Sequence, residues 1–235
     1  MFPFGFYFDP MYFLFALPAL ALAMFAQWKV SSAYAKYTKV RNAKNLTGVQ
    51  VAQNLLRANG LNLNVEGTAG NLTDHYDPRD KTLYLSAGVA QTPSVAALGI
   101  VAHEVGHAVQ DAQGYAPMRF RAALVAPAQI GPWVGYVLFI IGIFINLSGL
   151  VWVGIAFFSA SLVFAVATLP VEFNASTRAL AMLRSSALVG PGEVDAAQSV
   201  LTAAALTYVA AAAQALSTLL YYVFIALNLT GRRRS

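Results

Sequence analysis

The sequence predicts a mainly α-helical integral membrane protein, with about four transmembrane helices and a small α+β part containing a short sheet. Three observations predict it. Of 235 residues, 58% are hydrophobic and only 11% charged, where a soluble domain carries about 25% charged residues. Four apolar runs, around 11–26, 132–147, 150–169 and 206–229, approach the ~20 residues that cross a bilayer as a helix. Between 61 and 93 the pattern changes to short alternating runs separated by turn residues, the mark of strands. There are no cysteines, so a disulfide framework, a thiolate zinc site and a thiol nucleophile are all excluded. The net charge of +5 concerns topology more than a partner, and no nucleic-acid partner is expected.

Residues 1–28 form the first transmembrane segment. No Lys or Arg precedes Lys29, so the basic start of a secretory signal peptide is missing. Pro18 is placed to kink this helix, and Trp28 and Tyr34 are interfacial anchors. Residues 29–126 form the part that carries the short sheet and the buried helix. It opens on a cationic cluster (Lys29, Lys36, Lys39, Arg41, Lys44), followed by an amphipathic helix over 47–58 that Asn59-Gly60 closes. Strands are expected at 63–65, 72–76 and Thr82–Ser86, with Asp77-Pro78-Arg79-Asp80 as a turn. A buried helix follows, opened by Thr92-Pro93 as N-cap and first-turn proline. Residues 127–169 form a transmembrane hairpin that turns at 146–149. Residues 170–192 form a separate helix opened by Pro170 and ended by Gly190-Pro191-Gly192. Residues 193–235 carry the last transmembrane segment and a basic tail. Gln214, Ser217 and Thr218 within that segment imply a face turned toward other helices. The five segments together form one integrated domain.

The buried helix carries His103-Glu104-Val105-Gly106-His107. Histidines four apart lie one turn above each other on one helix face, where both imidazoles reach a single Zn²⁺ at about 2.0–2.1 Å. Glu104 then points beside the metal, where the general base for an attacking water belongs. The chain has only three histidines and two are here. Their neighbours Ile100, Val101, Ala102, Val105, Ala108 and Val109 are apolar, and burying two imidazoles and a carboxylate among them calls for a compensating charge. Gly106 removes a side chain where another backbone can approach.

A catalytic zinc takes three protein ligands and one open position. A third histidine six residues on is absent, since Gln113 stands there, and no inverted motif is present. Among the ten acidic residues, Glu172 fits best, flanked by Val171 and Phe173 and placed just past the membrane hairpin. Ser176, one turn on, is placed to hydrogen-bond a ligand, and Arg178 either balances the site's charge or faces solvent. His75 and Tyr208 are candidate oxyanion donors, although for His75 the ordinary reading, a turn residue, is the favoured one. The strand Thr82, Leu83, Tyr84, Leu85, Ser86 is either an edge that aligns substrate backbone by strand addition or part of a structural hairpin.

The segments 74–79, 81–86, 102–110, 169–176 and 203–210 resemble the bacterial membrane-bound neutral zinc metallopeptidases. More distantly they resemble the gluzincin membrane proteases, in which the downstream Glu is followed four residues later by Asp. Here Ser176 stands in that place. The resemblance implies a zincin-like catalytic part, one Zn²⁺ per chain on His103, His107 and Glu172, and Glu104 as base. The expected activity is zinc-dependent hydrolysis of peptide bonds in membrane or juxtamembrane proteins, with protein quality control as its setting. A non-catalytic zinc-bound membrane scaffold or chaperone is the alternative, although a structural zinc has no need of Glu104. The expected location is multi-pass, in a bacterial plasma membrane. Twelve of the fifteen Lys/Arg fall in 29–126 and 170–205, which places the active site on the cytoplasmic side. Arg232, Arg233 and Arg234 argue the other way.

Overall fold

The computed structural model describes residues 10–231, with side chains through 228. The tail Arg232, Arg233 and Arg234 lies outside the described residues. Among those described, seven helices and three strands follow in the order α1 (Pro10–Tyr37), α2 (Gly48–Ala58), β1 (Asn64–Thr68), β2 (His75–Asp77), β3 (Thr82–Ser86), α3 (Ala87–Gln91), α4 (Val95–Ala112), α5 (Ala116–Phe144), α6 (Ser148–Ser185) and α7 (Glu193–Gly231). Four helices, α1, α5, α6 and α7, are long and apolar enough to cross a membrane. The chain divides into two compact units.

Among the described residues, the first unit comprises 10–25, 121–167 and 208–231. Its α5–α6 hairpin turns through Asn146, which adopts a positive φ of 59°. Gly135 and Gly154 allow the two backbones to touch. A Cβ on either would stand 2.7 Å from the other's carbonyl oxygen, the small-residue contact that packs helices in lipid, where burial of apolar surface gives no net drive. Phe139, Val151, Ile155, Phe158 and Ala226 are buried together, and Tyr222 stacks on Phe158 with ring centroids 4.3 Å apart. The polar residues of the last span find partners within the bundle. Ser217 donates to the Phe15 carbonyl at 2.6 Å, and Thr218 to that of Gln214.

The second unit comprises residues 26–120 and 168–207. Here α2 begins with a capping box, in which the Thr47 side chain accepts from the Gln50 N–H and the Gln50 side chain from the Thr47 N–H. Its apolar face (Val51, Ala52, Leu55, Leu56) packs into a core with Leu83 and Leu85 of β3 and Leu98, Val101 and Val105 of α4. The sheet has the order β1-β3-β2. β1 runs parallel to β3, with Asn64 opposite Thr82, and β2 runs antiparallel to it, with Tyr76 opposite Leu83.

Several features differ from the sequence reading, and the second strand spans His75–Asp77 where 72–76 was expected. Thr82–Ser86 is the middle strand, paired along both sides, and not an edge. The reason is that residues 64–68 form a longer strand than expected and take β3's second side. The buried helix starts at Val95, capped by the Ser94 hydroxyl, which accepts from the Ala97 N–H. Thr92-Pro93 stays outside it because the Pro93 carbonyl accepts from the Asn42 N–H. Pro170 starts no helix, since α6 runs unbroken from Ser148 to Ser185 with Pro170 inside it. Proline removes one backbone donor, a loss that helices of membrane proteins tolerate when neighbours satisfy the freed carbonyl.

Candidate metal centre

The centre lies within the second unit, where α4 crosses α6. Their approach depends on Gly106, where a Cβ would meet the Ala175 carbonyl oxygen at 2.7 Å. Residues flanking Ala175 on α6 therefore come directly opposite the residues flanking Gly106 on α4, which are His103 and His107. Glu172 and Ser176 occupy those facing positions.

The two imidazoles stand nearly perpendicular, with centroids 4.7 Å apart. Both Nε2 atoms converge on one oxygen: Glu172 Oε2 is 3.2 Å from His103 and 3.5 Å from His107. One ligand atom from each of the three residues falls within 4.8 Å of the others. In a tetrahedral zinc site with bonds of about 2.0–2.1 Å, neighbouring donors stand about 3.3–3.4 Å apart. The donor set and its spacing fit Zn²⁺. Glu172 is 2% exposed and His107 9%, a degree of burial at which a shared cation would offset the cost of desolvating them.

Each histidine is held at its other nitrogen. His103 Nδ1 lies 3.1 Å from Ser176 Oγ. His107 Nδ1 lies 3.0 Å from Oε1 of Gln110, a fully buried side chain. Gln110 in turn donates to the Val171 carbonyl and to Asn174 Oδ1. Arg178 is drawn into this network, donating from Nε to Asn174 Oδ1 and from Nη1 to Gln113 Oε1. It thereby ties α6 to the C-cap of α4.

Glu104 is buried beside the ligands, and its Oε2 accepts the Tyr76 N–H of β2 at 3.0 Å. Burial pushes its carboxyl above the usual carboxylate range. β2 is pinned over α4 by the Tyr76 hydroxyl, which donates to Asp111, and by Lys81, which pairs with the same carboxylate oxygen. Just before β2, Asp74 accepts from both the N–H and the hydroxyl of Ser86. Burial raises its pKa despite those bonds.

The remaining sequence candidates are placed elsewhere. His75 is exposed, stacks on Tyr84 at 4.9 Å and lies 2.8 Å from the Thr73 carbonyl through Nδ1. It alternates along β2 with the buried Tyr76, so it is turned to the opposite face of the sheet. Tyr208 lies on α7, in the first unit. In β3, Thr82, Leu83, Leu85 and Ser86 are buried, and Tyr84 donates its hydroxyl to Asp80. Gln110, Asn174 and Tyr76 were not singled out from sequence. The spacing held a signal for Gln110 only, since a residue three after His107 shares its helix face.

A histidine pair one helical turn apart, a glutamate from a second helix and a buried glutamate beside them supply what a zinc metallopeptidase site requires, here in a chain with four membrane-length helices among its described residues. Comparison with known proteins agrees. The chain belongs to the family described as "Putative neutral zinc metallopeptidase", which matches residues 12–227. It is 40% identical over 220 residues to "Putative membrane protease YugP" of Bacillus subtilis (strain 168), covering 93% of this chain and 98% of that protein. No solved structure matches it significantly.

Proposed function

We propose that this membrane zinc metallopeptidase hydrolyses peptide bonds in membrane or juxtamembrane proteins, using one Zn²⁺ per chain held by His103, His107 and Glu172. The convergence of both Nε2 atoms on Glu172 Oε2, with Glu104 buried alongside, carries this reading. When bound, zinc polarises the scissile carbonyl and acidifies the attacking water. Glu104 accepts the proton that water gives up and delivers it to the leaving amine. Its raised affinity for a proton suits both halves of that transfer. The substrate backbone is aligned by β2 and not by β3, because β3 is paired along both sides while β2 is an outer strand of the sheet. A peptide added along the outer side of β2 lies near the base, whose Oε2 accepts the Tyr76 N–H.

The substrate class follows from Glu172 standing on the same helix as a membrane-length apolar run. Protein quality control is the setting this suggests. The active site faces the cytoplasm in this proposal, by the distribution of Lys and Arg. The purified protein in detergent is expected to hold one zinc and to cleave. Glu104→Gln is expected to hold zinc and be inactive. Comparing membranes that carry wild type with membranes that carry Glu104→Gln, new fragments should come from membrane proteins. Fragments from soluble proteins alone would overturn the substrate assignment.

A further inference from the structure

We infer that Gln110 is a positioning residue that decides which nitrogen of His107 is offered to the metal. The inference rests on the zinc reading of the site. It follows from a chain of hydrogen bonds that can be oriented in only one way. The chain starts at Arg178, whose guanidinium has donors and no acceptor. Its Nε meets the Asn174 side chain at 2.7 Å, so the Asn174 atom there is the oxygen. That same oxygen is 2.9 Å from the Gln110 amide, so the Gln110 atom facing it is the NH₂. The Val171 carbonyl, 2.8 Å from the same nitrogen, requires this too. Gln110 is left with only its oxygen toward His107, at 3.0 Å. His107 Nδ1 must carry the hydrogen, and Nε2 is left with its lone pair directed at the cluster.

His103 is held differently. Its Nδ1 meets the Ser176 hydroxyl, which donates or accepts with equal ease. Ser176 therefore orients the His103 ring without dictating its tautomer. Both partners are uncharged, where a carboxylate would fix the tautomer and add basicity together. At His107 the direction is imposed instead by the arginine, relayed through the Asn174 oxygen and the Gln110 amide, whose NH₂ donates to both Val171 and Asn174.

The test is zinc affinity, measured by chelator competition on metal-free protein, together with the visible spectrum of the Co²⁺-substituted protein. Gln110→Met keeps the length of the side chain and removes its oxygen. Zinc affinity should fall 10–100-fold, the usual effect of losing such a partner, and the Co²⁺ bands should shift. Gln110→Glu restores an acceptor for the Nδ1–H but cannot donate to Val171 or Asn174. Its melting temperature should fall while zinc affinity stays within about threefold of wild type, because the acceptor that orients the ligand is kept. Ser176→Ala should cost less affinity than Gln110→Met. If Gln110→Met binds zinc like wild type, or if Gln110→Glu loses affinity in step with its stability, Gln110 merely ties two helices and the inference is overturned. The Glu variant decides alone if the Met variant does not fold. A wild type that binds no zinc would defeat the metal reading and this inference with it, which separates the two failures.

Discussion

Helix α6 meets both α5 and α4 at close backbone approaches, and the two crossings differ in what surrounds them. Against α5, Gly135 and Gly154 bring carbonyl oxygens within 2.7 Å of an added Cβ, and the neighbouring residues Phe139, Ile155 and Phe158 are apolar. Against α4, Gly106 brings the Ala175 carbonyl equally near. There the neighbours are His103, His107, Gln110, Glu172, Asn174 and Ser176. The same device, a missing side chain at a helix crossing, holds a bundle in one region and assembles polar ligands in the other. Close approach alone is structural. Chemistry comes from which residues lie within about one turn of the glycine.

The largest expected effect comes from adding the missing side chain at Gly106. Its nearest neighbour is backbone, which cannot rotate aside, so Gly106→Val should separate α4 from α6 and abolish both zinc binding and hydrolysis. Metal content by mass spectrometry measures this. Gly154→Val should destabilise the α5–α6 hairpin by about 1–3 kcal/mol, the usual range for overpacking. Its zinc affinity should be unchanged, as read by chelator competition. If Gly154→Val also empties the site, the two contacts are one cooperative structure and the distinction fails.

The sequence made one side of this comparison plain. Spacing placed His103 and His107 on one face, elimination among ten acidic residues reached Glu172, and the Ser176 position suggested a hydrogen bond to a ligand. Gly106 was legible as a point of close approach. The network beyond them was not, because Gln110 and Asn174 acquire their roles only when α4 meets α6, and neither residue type signals a metal site alone. Pro170 misled, since its fixed φ suits a first turn as well as a tolerated interior position. The place of β3 in the sheet was illegible for a related reason. Alternation reveals a strand but not how many neighbours it has.

Smaller effects sharpen the account of β2. Asp111→Asn weakens the pairing with Lys81 and the bond from Tyr76. The ion pair is partly exposed and so contributes about 0–1 kcal/mol, so stability should change little. The position of β2 over Glu104 should loosen, raising KM for peptide more than it lowers kcat. The smallest effect is in the turn. The Arg79 side chain, donating to Asp77, holds that carboxyl at about 2. A folded-state pKa below the ordinary value contributes stability that is present above pH 4 or so and is lost as pH falls toward about 2. Asp77→Asn should remove only that acid-side dependence from a melting curve, and only slightly, since Arg79 is exposed.

The central claim is that two histidines and one glutamate form the zinc site. X-ray absorption spectroscopy on the zinc-loaded protein, wild type beside Glu172→Ala, measures it most directly. The account predicts two imidazoles and oxygen donors at about 2.0–2.2 Å in wild type, with zinc lost or greatly weakened in Glu172→Ala. Three imidazoles in wild type, or an unchanged zinc environment in Glu172→Ala, would contradict it and would bring His75 into the site.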